Sequence, residues 1–161
     1  EVGDERWFIA KDRVHEVMNF ADKNYRVLKE IKGEKLEGLK YKHPFEKYID
    51  EYKKIAKKSK KLHTILLSTE YVDTSSGTGL VHCAPGCGPE DYEVGHRNNI
   101  PPFNAVNEEG LFKDFGQFTD WRAKLDDNKF IEAIDQANAL LAKEPYVHDY
   151  PHGERTPAGE W

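Results

Sequence analysis

The amino-acid sequence predicts an α+β fold in a single domain. Two observations support this expectation: short apolar segments mix irregularly with three or four amphipathic helices, and the 161 residues contain no internal repeat and no linker. A parallel, doubly wound sheet is the alternative, but it requires regular alternation of strands and helices. We therefore expect one core to which both element types contribute.

The first half of the chain combines two predicted helices with short strands. Residues 7–10 are predicted as a strand, and a helix begins at Asp12. Strands are predicted over residues 25–31 and 38–41, the second ended by His43-Pro44 because a residue before proline prefers extended geometry. A lysine-rich helix is predicted over residues 46–61. The expected core-facing residues of the two helices are Val14, Val17, Met18 and Ala21, and then Tyr48, Ile49, Tyr52, Ile55 and Ala56.

The second half contains further strands and two more helices. Strands are predicted over residues 63–67, 70–72, 79–82 and 103–106, and a turn at Glu109-Gly110. A helix is predicted to begin at Pro89, since proline suits the first helical turn and carboxylates follow it. Asp126 or Asp127 is predicted to cap a last helix. Its expected core face consists of Phe130, Ile131, Ile134, Ala137, Leu140 and Leu141.

Composition excludes several classes of protein. No apolar stretch approaches the length of a membrane span, and no signal peptide opens the sequence, so no membrane partner is expected. The net charge of −5 argues against a protein that binds nucleic acid by overall electrostatic attraction, although local basic patches remain compatible with it. Two cysteines four positions apart do not form a disulfide framework. We therefore expect a reduced, cytoplasmic location.

The most specific stretch runs from Gly77 to Gly95, GTGLVHCAPGCGPEDYEVG. It reads as a turn, a short strand, a glycine-containing loop and an acidic helix start. Glycine allows backbone to approach a ligand closely, and this layout is common at ligand sites. We refer to the part from Gly77 to Pro89 as the signature loop.

This stretch resembles the editing domain inserted in the class I aminoacyl-tRNA synthetases for isoleucine, valine and leucine. Val81-His82 followed by Ala84-Pro85-Gly86 is most similar to the isoleucyl family, and a valyl editing domain is an alternative. The resemblance covers essentially the whole chain, residues 1–161. It implies a β-barrel-like core surrounded by helices, with residues 146–161 returning toward the synthetase body.

The resemblance assigns roles to two residues. Asp91 matches the acid that binds the α-ammonium group of the amino acid esterified to tRNA, a task that suits a carboxylate because a charge-assisted hydrogen bond also fixes orientation. His82 matches a residue that lets the pocket accept valine and exclude isoleucine. From the residues alone, Asp91 could equally complement the helix dipole, and His82 could be structural. Glu90 and Glu93 are expected to be solvated, and Tyr92 and Val94 to lie in the core.

The same resemblance places Gly77, Thr78, Gly79 and Gly86 around the substrate, with the Thr78 hydroxyl available for a hydrogen bond. The implied partners are the 3′ acceptor end of tRNA(Ile), its valine moiety and the remainder of the synthetase. No cofactor is expected in this domain, whereas the parent synthetase uses ATP and magnesium. Thr78 could also serve only as a turn hydroxyl.

Metal binding and thiol chemistry are competing interpretations of this stretch. His82, Cys83, Cys87 and His96 are zinc-ligand types, but the spacing is poor and adjacent strand residues point to opposite faces. Cys87 as a nucleophile is a further alternative, although the editing reaction of the family uses water. We therefore predict no metal site.

Two other groups of residues have weaker functional interpretations. The lysine run within residues 53–61 could contact tRNA phosphates, or could be the solvated face of a helix. Near the C-terminus, His148, Tyr150, His152 and Arg155 suggest a hinge or a contact with another domain.

The sequence also lacks segments that the family possesses. It contains no threonine-rich peptide of the kind that forms the other wall of the editing pocket, and no aminoacylation motifs of the HIGH or KMSKS type. We therefore expect an N-terminally incomplete editing domain. The leading hypothesis is hydrolysis of mischarged valyl-tRNA(Ile), and possible hydrolysis of valyl-adenylate is left open. The alternatives are a tRNA-binding or domain-docking module without catalysis, and a small zinc-binding domain.

Overall fold

A computed structural model describes residues 1–145 and residue 147. It contains α1 (Val14–Phe20), α2 (Asp50–Lys58), α3 (Pro89–Arg97) and α4 (Asp127–Gln136). Three short 3₁₀ turns, Lys11–Arg13, Gly33–Leu36 and Gly116–Phe118, accompany them. Long irregular segments connect these elements. Within the described part of the chain, no helix has both the length and the apolar character needed to cross a bilayer.

The predicted β-barrel-like α+β core is wrong for the described residues, which contain no strand. Pairing is limited to isolated antiparallel bridges such as Lys40 with Thr64. There, Ile65 donates its N–H to the Leu39 carbonyl at 3.0 Å, and Tyr41 donates to His63 at 3.0 Å. A sheet needs successive paired residues on neighbouring segments, so strand propensity alone does not produce one.

Residues 25–31 illustrate why these predicted strands are absent. Every residue of this apolar segment is exposed, and Val27 is 58% exposed. Its described backbone pairing is confined to Arg26, whose N–H donates to the Glu1 carbonyl at 2.9 Å and whose carbonyl accepts from the N-terminal ammonium of Glu1 at 2.8 Å. The segment has the composition of a strand but no neighbour that would complete a ladder on either side. The predicted strands over residues 7–10, 70–72, 79–82 and 103–106 are likewise not formed.

The helix predictions are more accurate because they depend on local signals. A helix follows Asp12 as predicted, with Val17 and Met18 buried. The helix predicted over residues 46–61 is shorter: Ile49 is extended at its start and Ser59 is extended at its end. Ile49 lies just outside the helix, yet its side chain is only 1% exposed, so the predicted burial of this residue does not require it to be helical. Tyr48 and Ala56, predicted to face the core, are exposed.

The two later helices begin where the sequence predicts. Pro89 occupies the first turn of α3, where backbone N–H groups have no acceptor within the helix, so the lack of an N–H in proline costs no hydrogen bond. Asp126 precedes α4 but does not cap it. Its carboxylate accepts the Arg122 N–H at 2.7 Å and pairs with Lys129 at 2.7 Å. Of the predicted apolar face of α4, Phe130 packs on the core and Leu141 is exposed.

The core is small and aromatic. Ile49, Phe118 and Ala133 are buried at its centre. Phe118 meets Phe45 edge to face, with ring centroids 4.8 Å apart, a geometry that aromatic quadrupoles favour. The partly buried side chains around this centre are Phe45, Tyr52, Phe115, Trp121 and Phe130. The core therefore joins α2 and α4 through the segment around residue 118. Apart from Val147, the predicted return segment 146–161, with His148, Tyr150, His152 and Arg155, lies outside the described residues.

Candidate functional site

A large cavity is the main concave feature next to the signature loop. Its volume is about 2260 Å³, and its wall is mainly apolar. The wall combines the irregular segments of the first half of the chain with the signature loop and the start of α3. Asp91, His82 and Gly79 all line this cavity. The structure thus brings together three of the six residues that the sequence assigned to the site.

Asp91 is positioned by the first turn of α3. It is half-buried, and its carboxylate lies beside Gly88, where a Cβ would be 3.6 Å from Oδ2. No described basic side chain forms an ion pair with this carboxylate; the ion pairs of α3 are made by Glu93 and Arg97. The helix N-terminus contributes partial positive charge only from backbone N–H groups. A charge without a basic partner at a cavity wall can accept a cationic ligand group.

Cys83 lies next to Asp91. Its thiol Sγ donates a weak hydrogen bond to the Asp91 backbone carbonyl at 3.8 Å. Burial raises the pKa of this thiol, and the negative charge of Asp91 raises it further. Both effects disfavour the thiolate, which is the nucleophilic form. Cys83 is therefore a protonated neighbour of the acid and not an activated nucleophile.

His82 is exposed to the cavity on the signature loop. It lies close enough to His43 for its charge to contribute to lowering the pKa of that residue. The strand predicted for this residue is absent, so the loop and not a sheet determines its position. His82 and Asp91 thus contribute a basic heterocycle and an acid to the same wall.

The other predicted pocket residues have structural contacts instead. Gly77 and Thr78 do not line the cavity. The Gly77 carbonyl accepts a hydrogen bond from Arg13 Nε at 3.0 Å, and the Thr78 carbonyl accepts one from the Ala10 N–H at 2.8 Å. These bonds hold the turn against the start of α1. The Thr78 hydroxyl bonds to Leu80, as in the turn interpretation.

Two glycines are required by close packing of the signature loop. Gly79 has a φ of +76°, and a Cβ there would overlap the side chain of Ala10. Gly86 lies away from the cavity, against the backbone of Phe103, and a Cβ would overlap the Phe103 carbonyl. Glycine at these positions lets backbone segments meet at distances that any side chain would prevent.

A histidine and tyrosine cluster was missed by the sequence analysis. His43 and His63 stack with ring centroids 5.2 Å apart, and Tyr52 packs edge to face on both. All three line the cavity. The His43-Pro44 pair is a visible signal in the sequence, but it predicts the end of a strand and contributes to the family resemblance, not an aromatic cluster. Residues 43, 52 and 63 are distant in sequence, so only tertiary contact brings them together.

The cluster is uncharged near neutral pH. Burial, with smaller contributions from His63 and His82, lowers the pKa of His43 to about 4. Burial also lowers the pKa of His63, against an opposing effect of Glu46, whose Oε2 is 3.9 Å from His63 Nδ1. This contact therefore joins a carboxylate to a neutral imidazole. The same cavity is thus lined by neutral ring nitrogens and a tyrosine hydroxyl as well as by the Asp91 carboxylate.

The described side chains do not form a metal centre. No group of three or more histidine, cysteine, aspartate or glutamate side chains within residues 1–145 and 147 is placed to hold an ion. Cys83 and Cys87 are free thiols. The zinc interpretation has no geometric support in this part of the chain.

Comparison with known proteins identifies relatives of one kind. The isoleucine–tRNA ligase of Methanocaldococcus jannaschii is 38% identical over 153 residues, and that of Sulfolobus acidocaldarius is 40% identical over 152 residues. The enzyme of Thermosynechococcus vestitus is 38% identical over 150 residues. These matches cover 92–93% of this chain but only 14% of each relative. No family model matches the chain. The resemblance predicted from the sequence is therefore confirmed: the chain is homologous to a segment of the isoleucine–tRNA ligases.

Proposed function

We propose that this chain is the editing part of an isoleucine–tRNA ligase and that it hydrolyses valine wrongly esterified to tRNA(Ile). The observation that carries the proposal is the Asp91 carboxylate, which lies at the cavity wall without a basic partner among the described residues. The proposed partners are the acceptor end of the tRNA and the remainder of the ligase. No cofactor is proposed for the hydrolysis, and the location is proposed to be cytoplasmic.

The proposed mechanism uses Asp91 to bind and orient the substrate. Its carboxylate binds the α-ammonium group of the aminoacyl ester, and the charge-assisted hydrogen bonds fix the position of the ester carbonyl. Water attacks that carbonyl, and the 3′-terminal ribose oxygen leaves with a proton. His82, on the same wall, limits the space available to the amino-acid side chain.

A separate hydrolytic site has a physical reason. Valine and isoleucine differ by one methylene, which gives a single binding site only about 10–200-fold discrimination. A second site that admits valine and excludes isoleucine by size multiplies this factor. Small-molecule pockets usually measure about 300–1,000 Å³, so the cavity of about 2260 Å³ is too wide to sort amino acids by itself. We propose that another segment of the ligase completes its wall.

The decisive experiment measures deacylation of valyl-tRNA(Ile) by the full-length ligase. Asp91→Asn preserves shape and removes the charge, so we expect a loss of deacylation of at least about 100-fold, typical of a lost orienting contact. Glu93→Gln is the matched control, because it removes the same charge from the same helix at a position that does not line the cavity. Parental deacylation by Asp91→Asn, or an equal loss in Glu93→Gln, would contradict the role of Asp91.

A second candidate function is a tRNA-binding or domain-docking segment without catalysis. The large volume of the cavity favours it, because a cavity much larger than the substrate does not position the ester for attack by water. The full-length ligase distinguishes the two functions, because another segment is proposed to complete the cavity wall. Turnover of valyl-tRNA(Ile) that Asp91→Asn abolishes supports the hydrolase, whereas tRNA binding with turnover that Asp91→Asn leaves unchanged supports the docking role.

A further inference from the structure

A second cleft lies between the end of α2 and the exposed side of α3. Its volume is about 370 Å³. Lys58 of α2, Tyr92 and His96 of α3, and the turn of residues 99–102 line it. Asp91, His82 and the signature loop do not contribute to this cleft. The cleft adjoins the large cavity, because Ile100 and Pro101 line both, but the residues of the proposed hydrolytic site do not line it.

The cleft contains an exposed aromatic pair. Tyr92, predicted to lie in the core, is instead 50% exposed. Its ring stacks on the ring of His96 one helical turn later, with centroids 6.0 Å apart and an interplanar angle of 20°. No described group forms a hydrogen bond with the Tyr92 hydroxyl. The pair thus presents a flat surface on which another planar ring can stack.

Unpaired positive charge is concentrated at the end of α2, where Lys58 lines the cleft. At the beginning of α2, Lys53 and Lys54 form ion pairs with acids of that helix. At its end, Lys57, Lys58 and the following Lys60 have no acidic partner among the described residues. The sequence presents the lysine run as one group, but in the structure the lysines at the start of α2 are paired with acids and those at its end are not.

One contact joins the cationic end of α2 to α3. Lys61 Nζ donates a hydrogen bond to Asn98 Oδ1 at 2.6 Å, and Asn98 Nδ2 donates to the Val94 carbonyl at 2.8 Å. Val94 is buried, so this link connects the cleft to packed structure. The lysines and the ring pair are therefore held on adjoining elements.

We propose that this cleft binds an unpaired nucleotide of a single-stranded RNA, with the base stacked on Tyr92 and His96 and a phosphate beside Lys58. A flat aromatic surface next to unpaired cations is the recurrent arrangement for single-stranded nucleic acid. Paired bases in a duplex are stacked on each other and do not present a free face, so the ligand is a single strand. The choice of RNA rests on the proposed function, since the substrate proposed there is a tRNA.

The test measures binding of the 161-residue chain to a fluorescein-labelled RNA ten nucleotides long that ends in ACCA and carries no amino acid. Fluorescence anisotropy gives Kd over a series of salt concentrations. We expect Tyr92→Leu to weaken binding about tenfold, as for the loss of one stacked base. We expect Tyr92→Phe to retain binding, since it keeps the ring. Lys58→Gln should weaken binding and reduce the salt slope by about 0.7, the value for one phosphate contact on a single strand.

Matched controls separate the cleft from overall electrostatics and from general aromatic exposure. Lys53→Gln removes the same charge from the paired end of α2, and Tyr48→Leu removes an equally exposed ring outside the cleft. Both should bind as the parent does. The proposal is overturned if the parent chain does not bind the RNA, if either control loses as much affinity as its cleft counterpart, or if polyphosphate of equal charge binds equally well.

These outcomes are distinct from those of the deacylation experiment. The RNA probe carries no ammonium group, so its binding does not report on the contact proposed for Asp91. If Tyr92→Leu loses RNA binding and Asp91→Asn loses deacylation relative to the parent, both sites are supported. Binding without deacylation would remove the hydrolase proposal and retain the cleft, and the reverse result would remove only the cleft.

Discussion

Replacement of Gly86 by alanine should destabilise the fold by forcing the signature loop away from Phe103. A Cβ at Gly86 would stand 2.8 Å from the Phe103 nitrogen and would overlap its carbonyl group. Ordinary van der Waals contact begins at 3.4 Å, so the nitrogen alone requires a shift of 0.6 Å, the difference between 3.4 and 2.8 Å. The carbonyl requires a larger shift. The obstacle is backbone, which cannot move aside by changing rotamer.

The expected cost follows from measurements of overpacking. Extra methyl groups in packed sites cost about 1–3 kcal/mol, and a rigid neighbour places this substitution toward the upper end. Stability changes of 1 kcal/mol shift Tm by about 2–4 °C in domains of about 150–250 residues, so a decrease of about 4–12 °C is expected for a cost of about 2–3 kcal/mol. This is a large part of the roughly 5–15 kcal/mol that stabilises a typical domain.

The assay is thermal and urea unfolding of the 161-residue chain, followed by circular dichroism. Gly33→Ala is the matched control, because no atom lies within 4 Å of its Cβ position and its φ is not positive. The control should stay within about 0.5 kcal/mol of the parent, as surface substitutions usually do. Free energies of unfolding within about 0.5 kcal/mol of each other in the two variants would refute the predicted clash between residue 86 and the Phe103 backbone.

Two further predictions follow from the pKa shifts. Because the pKa of His43 is lowered to about 4, the unfolded chain binds more protons between pH 6.5 and pH 4, so stability should fall as pH decreases through that range. Because His43 is partly exposed, we expect the free energy of unfolding to fall by only about 1–2 kcal/mol. His43→Phe should flatten the pH dependence of urea unfolding, whereas the control His15→Gln should preserve it. An unchanged pH dependence in His43→Phe would contradict the role of His43. Iodoacetamide should alkylate exposed Cys87 faster than Cys83 at pH 8, since burial and the Asp91 charge raise the pKa of the Cys83 thiol. Mass spectrometry should show faster modification of Cys83 in Asp91→Asn, and equal rates at the two cysteines of the parent would refute this explanation.

The candidate site was only partly predictable from the sequence. Asp91 and His82 are assigned to the site from the order of residues in the signature loop; both line the cavity, and their roles remain predictions. Gly86 was assigned to the substrate, but it packs on Phe103, a contact between residues seventeen positions apart that no local pattern reveals. Tyr92 is predicted to lie in the core, yet it is exposed and stacked on His96.

The sequence by itself determined the similarity to the isoleucine–tRNA ligases and the starts of helices α3 and α4. The helix starts depend on short-range signals such as Pro89 at a first turn. Tertiary structure alone decided the rest. The strand-like segment of residues 25–31 forms no ladder, because a strand requires a neighbour that sequence propensity does not supply. The cluster of His43, Tyr52 and His63, the cavity it lines and the cleft beside Lys58 arise only where distant segments meet.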